Sequence, residues 1–594
     1  MMKNVKKIDN RIQILRGVSV VAVVFFHLVP EEFPIGFLGV DVFLVISGFL
    51  MAKLYGNIRT KAEISEFLKK RMWRLLPAYY FVLILTYVYS LFVLLPHELA
   101  TLNQHIRWSL FLSPNIGYWT DSQYWGSAQF RPILNFWSLG VEIHFYLLFP
   151  LIAKYVKRSR LLALLAGLNL IAYITIATFS EKSSFFLMPF RFWEFAIGIL
   201  AYRVSAQSLS RRISFIRFIA ILSSLLLLLL LQNSNPNVSV VLVAIATAAF
   251  LSRAYVHSSS SKFLKSLEAV GDYSYSIYLV HYPILIFLFY IPFESSSDLN
   301  TTQAPTRIFL YFSLLIPASI FLRQLIEIKS LKNSFFVRYL SVSVLFILAL
   351  SVISPSTFGK ISLNAREIKI SETVLDYAPY RCGKLFRLTN PFGVACKLND
   401  NVNEKSKILL IGDSHADMFK SPLEKFAVDQ DSEFWLWRAN ETLSDSNFQK
   451  IKDFIDAEKI TRIVIASNNG GTDFIKFDQL MKEYEGLNRT WAYIYSTPTY
   501  PESIPKVMFG GEQSEIDNLR LSREQFDSLR VKELNFVAQQ SGNSDFRAID
   551  LTDYFCPSLC LYERKGLPIY ADSNHITQTE VSRLAPLLKP AVQR

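Results

Sequence analysis

Eleven apolar runs occupy the first 355 residues, near 12–30, 36–54, 76–95, 136–153, 161–179, 186–202, 215–231, 237–252, 274–292, 308–326 and 336–354. Each approaches the roughly 20 residues that cross a hydrocarbon core about 30 Å thick. In lipid every backbone polar group must be bonded within its own segment, so runs of this kind fold as a helical bundle. The first run is followed too closely by a second, and by no small-residue cleavage site, to read as a removed signal peptide.

Charge divides the chain in two. Of 62 Lys and Arg and 49 Asp and Glu, residues 361–594 hold 29 basic and 33 acidic, leaving 33 basic and 16 acidic in the apolar part. A basic excess confined to membrane connections reads as topology rather than nucleic-acid binding. Lys and Arg crowd alternate connections, beginning with the N-terminus. Placing those inside, with an odd number of spans, puts everything after about residue 355 outside. The four cysteines, Cys382, Cys396, Cys556 and Cys560, all lie in that outer part. Four allow three pairings, of which the local pairs 382–396 and 556–560 are simplest, and an oxidising periplasm would let them form.

Residues 356–404 read as a linker. Beyond them short apolar runs at 407–411, 462–466, 491–495 and 546–549 alternate with amphipathic stretches such as 446–458 and 520–540. That alternation predicts an α/β/α domain over 405–594 with a parallel sheet, whose ligands sit beyond the carboxyl ends of the strands. KILLIGDSHADMF, residues 407–419, places Ser414 at such an end. A serine needs a base, and the base an orienting acceptor. YADSNH, residues 570–575, offers His575 and Asp572. Taken alone, Asp413 or Ser414 could simply cap a helix, and Asp-x-x-His could be a surface turn.

The two blocks together resemble the SGNH (GDSL-like) hydrolase family over roughly 405–585. The resemblance implies Ser414 as nucleophile, with Asp572 and His575 as its partners. It also implies an oxyanion hole from the Ser414 backbone N–H, a glycine and an asparagine. Asn468 and Gly470 in ASNNGG are candidates by position, although the family's middle blocks do not match clearly.

Ionisable groups within spans are expensive and default to function. Arg16, His27, Asp41, Glu142, His144, Arg191, Glu194 and His281 lie in or beside spans and suggest a polar cavity. Six strings carry a family likeness in order: LRGVSVVAVVFFH, GFLGVDVFLVISGFL, RMWRLLPAYY, WSLGVEIHFYLLFP, FRFWEFAIGILAY and GDYSYSIYLVHYPIL. They resemble the acyltransferase-3 membrane family over about 8–330, whose members move acyl groups from cytoplasmic acyl-CoA to extracytoplasmic carbohydrate. The resemblance implies Arg16 and His27 as core residues. Arg71 and Arg74, ahead of Pro77, match the family's Arg-x-x-Arg and suit CoA phosphates. Glu142, Arg191 and Glu194 match further motifs and could serve as structural ion pairs. Ile143-His144 stands where the family usually has Glu-Gln, and Glu327 lacks a following Pro.

The expected organisation is a transmembrane domain at 8–355, a linker at 356–404 and an SGNH-like domain at 405–594. The expected function is transfer of acetyl from acetyl-CoA to an envelope polysaccharide, with lipopolysaccharide O-antigen the leading acceptor. Peptidoglycan or an exopolysaccharide is the alternative acceptor. The expected location is a Gram-negative inner membrane with the C-terminal domain in the periplasm, in contact with membrane lipid and without metal or nucleic acid. An esterase acting through the outer domain, and a transporter with a glycan-binding module, are the rival readings.

Overall fold

The computed structural model describes residues 10–121, 130–205, 236–252, 262–293, 305–328, 344, 345, 347, 363–378, 395–399, 406–438, 443, 445–468 and 471–593. The chain forms two compact units, residues 1–94 with 98–359, and residues 360–594 with 95–97.

The first unit is helical. Its elements are α1 (Asn10–Leu28), α2 (Gly39–Tyr55), α3 (Lys61–Val93), α4 (Pro96–Leu110), α5 (Pro114–Thr120), α6 (Phe136–Tyr155), α7 (Ser159–Phe179), α8 (Glu181–Phe186), α9 (Met188–Ser205), α10 (Pro236–Leu251), α11 (Lys262–Leu288) and α12 (Pro305–Phe321). Among the described residues, six helices are long and apolar enough to cross a membrane: 10–28, 36–55, 61–93, 136–155, 159–179 and 305–327. The expected runs at 237–252 and 274–292 also appear as helices, α10 and the second half of α11. The run at 215–231 lies outside the described residues, and that at 336–354 almost wholly so.

Lipid gives helices no hydrophobic reason to associate, so close backbone approach through small residues must supply the packing. Glycines at two helix–helix contacts do this. A Cβ at Gly48 would stand 2.0 Å from the Phe195 carbonyl oxygen and one at Gly198 would stand 2.1 Å from that of Val45, locking α2 to α9. Likewise a Cβ at Gly271 would meet the Gln13 carbonyl at 1.9 Å, locking α1 to α11. The amphipathic start of α3 is held by a capping box, with Thr60 accepting from the Glu63 N–H and the Glu63 side chain accepting from the Thr60 N–H.

The second unit is α/β. Its elements are α13 (Ala365–Thr373), β1 (Ala395–Lys397), β2 (Ser406–Gly412), α14 (Ser414–Val428), β3 (Ser432–Arg438), α15 (Asp445–Ala457), β4 (Arg462–Ala466), α16 (Phe474–Glu483), β5 (Thr490–Ile494), α17 (Ile504–Gly510), α18 (Gln513–Asp517), α19 (Arg523–Leu529), α20 (Val531–Gln539), β6 (Phe546–Ile549), α21 (Thr552–Phe555) and α22 (Gln578–Leu588). The sheet order is β1-β3-β2-β4-β5-β6, parallel throughout except for the antiparallel edge strand β1. Apolar clusters on its two faces explain the continuous apolar strands β2 and β4.

Three features depart from the sequence expectations. Residues 395–397, within the stretch read as a linker, pair with β3 and so belong to the sheet. Strand β3, SEFWLWR, interleaves charged and aromatic residues and gave no recognised apolar run. The stretch 520–540 is two helices broken at Arg530, not one. Cys556 and Cys560 form a disulfide, and Cys396 is disulfide-bonded as well. Cys382 lies outside the described residues.

Gly412 closes β2 where no side chain fits, since a Cβ there would lie 1.7 Å from the Ala466 carbonyl oxygen on β4. Gly412→Ala should therefore strain the β2–β4 ladder and cost about 1–3 kcal/mol. Denaturant unfolding of the outer unit, followed by tryptophan fluorescence, measures this. An unchanged midpoint would contradict the packing described.

Candidate functional site

Each unit gathers its own set of sequence-predicted residues. In the outer unit the site begins at the turn after β2. Asp413 caps α14, its Oδ1 accepting the His415 N–H at 2.8 Å, while its Oδ2 accepts the Asn468 N–H at 2.9 Å. One carboxylate therefore joins the β2–α14 turn to the loop after β4, and brings Asn468 beside the turn that carries Ser414. Ser414 is the first residue of α14, where backbone N–H groups and the helix dipole favour a developing negative charge. Gly470 lies outside the described residues. Gly471 is the glycine that packs against this carboxylate: a Cβ there would stand 2.9 Å from Asp413 Oδ2.

Asp572 and His575 meet as their spacing predicts. Asp572 Oδ2 lies 2.7 Å from His575 Nδ1, and Oδ1 accepts the backbone N–H groups of Asn574 at 2.9 Å and His575 at 2.8 Å. A carboxylate acceptor fixes the proton on Nδ1 and leaves the Nε2 lone pair as the base. Burial alone would raise the Asp572 carboxyl, but hydrogen bonds from His575 and the two amides outweigh it and hold it below its ordinary range. The His575 side chain keeps 30 % of its surface exposed, so an acceptor from outside can reach it.

Sequence reasoning passed over His415, which stood in the quoted motif. Its ring centroid lies 5.1 Å from that of His575, placing the α14 N-terminus and the Asp572–His575 turn in one corner. Its Nδ1 lies 3.5 Å from Thr497 Oγ1, and burial, followed by the neighbouring His575, pushes it down to about 4.

In the helical unit, Arg16, Arg71, Arg74 and Glu142 line a single cavity between α1, α2, α3, α6 and α11. It encloses about 790 Å³ including its open mouth, and most of its wall is apolar. The Arg71 guanidinium sits 5.1 Å from the Tyr55 ring and 5.8 Å from the Tyr146 ring. Its Nε is buried without a hydrogen-bond partner among the described residues.

His27 lies elsewhere, with His281. His27 Nδ1 is 2.9 Å from the Val23 carbonyl and 3.4 Å from His281 Nε2, and His281 Nδ1 is 2.7 Å from the Tyr278 carbonyl. Carbonyls only accept, so both Nδ1 atoms carry protons and His27 Nε2 keeps its lone pair. Arg191 and Glu194 form a buried ion cluster with Asp41: Arg191 pairs with Asp41, and its Nε lies 3.0 Å from Glu194 Oε1. Glu327 pairs with Arg323 and accepts from Ser276 Oγ at 3.1 Å. His144 faces Ser113 Oγ at 3.2 Å, just ahead of α5, and Asn115 Nδ2 at 3.5 Å, on α5.

Comparison with known proteins agrees with this division. Residues 9–324 match the model of an acyltransferase domain, and residues 381–590 that of an SGNH domain fused to such domains. O-acetyltransferase OatA of Staphylococcus aureus (strain NCTC 8325 / PS 47) is 30% identical over 304 residues, 46% of this chain and 50% of the relative. Putative peptidoglycan O-acetyltransferase YrhL of Bacillus subtilis (strain 168) is 29% identical over 312 residues, covering 46% and 48%. Peptidoglycan O-acetyltransferase OatA of Listeria monocytogenes serovar 1/2a (strain ATCC BAA-679 / EGD-e) is 32% identical over 170 residues, 27% of each chain. The chain thus spans half or less of the length of these relatives. A solved lipopolysaccharide acetyltransferase periplasmic domain from Salmonella ser. Paratyphi A shares 12% identity, covering 39% of this chain and 98% of that one. Its TM-score of 0.26 is too low to argue from.

A histidine held neutral by burial binds its proton more readily once unfolded. His415 therefore contributes stability that is present above its ordinary value of 6.5 and lost as pH falls toward about 4. The Asp572 carboxyl, held low, adds a loss of the same sign at lower pH still. His415→Phe, which keeps a ring in place, should flatten the decline in the outer unit's melting temperature between pH 6.5 and about 4. A decline as steep as in the parent would show that His415 is not its source.

Proposed function

The chain belongs to the acyltransferase family matched over residues 9–324 and carries a fused SGNH domain, and from that premise we propose that it O-acetylates an envelope polysaccharide. The observation that carries this reading is the convergence of Arg16, Arg71 and Arg74 on one cavity of an apolar bundle. Three guanidiniums on one cavity wall, Arg71 buried and Arg16 and Arg74 half-buried, call for a polyanion, and the phosphates of acetyl-CoA supply one. With the N-terminus inside, as the Lys and Arg distribution favours, that cavity takes its donor from the cytoplasm. The same orientation places residues 360–594 in the periplasm, which the Cys556–Cys560 disulfide supports.

Acetyl-CoA is charged and confined to the cytoplasm, so its acetyl group must cross the bundle before any outer step. On the outer side Ser414 accepts the acetyl group as an ester, with His575 Nε2 taking the hydroxyl proton and Asp572 holding the imidazole. That proton passes on to the departing group that delivered the acetyl. A glycan hydroxyl then attacks the ester, its own proton passing through the same nitrogen to the departing Ser414 oxygen, while exclusion of water favours transfer over hydrolysis. His27 Nε2 serves as base within the bundle. The reading favours an O-antigen-like polysaccharide as acceptor, because paired cysteines suit a periplasm. The names of the relatives favour a second reading, peptidoglycan.

Mass spectra of lipopolysaccharide and peptidoglycan from cells with and without the chain separate these acceptors. An added acetyl group on the lipopolysaccharide repeat is the expected result, and its appearance on muropeptides alone would establish the second reading. His27→Ala and Ser414→Ala should each cut acetylation about 10²–10⁴-fold at unchanged protein level. Acetylated glycan forming at the parent rate in Ser414→Ala would rule out the outer ester. Arg71→Ala should raise KM for acetyl-CoA about tenfold or more, through loss of a hydrogen bond to a charged group.

A further inference from the structure

We propose that Ser47 is a transient acyl carrier inside the bundle, loaded from the thioester with Glu142 as its general base. The proposal rests on the acyl-CoA reading above and extends it to how the acetyl group leaves the donor cavity. The described wall of that cavity contains Arg16, Arg71, Arg74, Ser47 and Glu142 but not His27. Along α1, His27 stands eleven residues beyond Arg16, about 16 Å at 1.5 Å per residue. The described wall of the cavity therefore offers a serine and a carboxylate of its own, apart from His27.

Ser47 is placed for that step. It lies eight residues from each end of α2, about 12 Å from either. Gly48, the next residue, presses backbone to backbone against α9, with its missing Cβ 2.0 Å from the Phe195 carbonyl. That contact fixes the rotation of α2, and the Ser47 hydroxyl is directed to α6, where it donates to Glu142 Oε1. Tyr146 OH, one turn further along α6, donates to the same oxygen at 2.5 Å. Hydroxyl, carboxylate and an orienting third group within hydrogen-bond reach are the arrangement that activates a serine nucleophile. The second observation pointing to a ligand is Arg71, 5% exposed, whose Nε has no partner among the described residues.

The chemistry balances without any further reactant. Ser47 Oγ attacks the thioester carbonyl as its proton passes to the Glu142 carboxylate. The C–S bond breaks, the leaving thiolate takes that proton from Glu142, and CoA departs as the free thiol. The next acceptor hydroxyl consumes the ester and restores the Ser47 hydroxyl.

The test uses membranes containing the full chain, given acetyl-CoA labelled in the acetyl group and quenched in acid. The peptide holding Ser47 should carry one labelled acetyl group in the parent and none in Ser47→Ala. Ser47→Cys keeps the size and the nucleophile, and should be labelled as a thioester that neutral hydroxylamine releases. Glu142→Gln should slow loading about 10²–10⁴-fold with Ser47 intact. Glycan acetylation at the parent rate in Ser47→Ala, or label found on Tyr146 instead, would overturn the carrier while leaving the acetyl-CoA reading intact. A parent chain that acetylates glycan but releases no CoA from acetyl-CoA would overturn both.

Discussion

A guanidinium inside an apolar bundle must be matched, and how each one is matched organises the helical unit. Arg191 is matched by protein, held between Asp41 on α2 and Glu194 on its own helix, with all three side chains nearly inaccessible. Removing Arg191 would leave two buried carboxyl groups without their cation, and breaking a buried pair in this way costs about 3–5 kcal/mol. This cluster and the Gly48–Gly198 contact both tie α2 to α9, so they fix α2 in rotation as well as in distance. The wall that α2 presents to the cavity, Ser47 included, depends on that double tie. Arg71 is matched differently: two aromatic rings cover its faces, and its Nε is left without a protein acceptor among the described residues. The contrast separates a cation paired within the bundle from one whose Nε is left open, the one proposed above to take an anion.

The outer unit uses a carboxylate for the corresponding task. Asp413 bonds to the turn bearing Ser414 and to the loop bearing Asn468 through its two oxygens. Its capping role and its place in a catalytic motif are therefore one role. The helix N-terminus that Asp413 caps is the same one that presents Ser414. Backbone hydrogen bonds from Tyr500 to Ser573, at 2.9 Å, and from Ile504 to Asp572, at 3.2 Å, pin the Asp572–His575 turn to the chain beyond β5.

Much of this was legible in the sequence because it rests on local periodicity and short spacing. The apolar runs within the described residues became helices, and Asp572 and His575 met because three residues of one turn bring such groups together. Arg16, Arg71, Arg74 and Glu142 came from three separate motifs and share one cavity. Their convergence is a property of helix packing that no single motif encodes. What escaped was non-local or masked by composition. β3 escaped because Glu433, whose carboxylate pairs with Lys397 and Lys407, interrupts its apolar residues near the start of the strand. Residues 395–397 escaped because three residues make no periodicity, and only pairing with β3 defines them as a strand. His415 was in plain view beside Ser414, but its meaning depends on His575, 160 residues later.

The two units also differ in the base they offer, and the difference follows from their surroundings. In the bundle the carboxylate proposed to load Ser47, acting before His27, is held by two hydroxyls in a mostly apolar wall, suited to a reaction that begins from a reactive thioester and expels a good leaving group. Outside, ester exchange between oxygens is nearly even in energy, and water competes with the glycan as acceptor. A histidine oriented by Asp572 can take a proton from one hydroxyl and return it to another, which a sequential exchange requires. Yet His575 remains 30% exposed and Asp572 47%. An open dyad of this kind protects an ester poorly on its own. On the proposed reading the acceptor polysaccharide would supply the missing wall, so the preference for transfer over hydrolysis would be set by how well the glycan covers His575 rather than by the dyad itself.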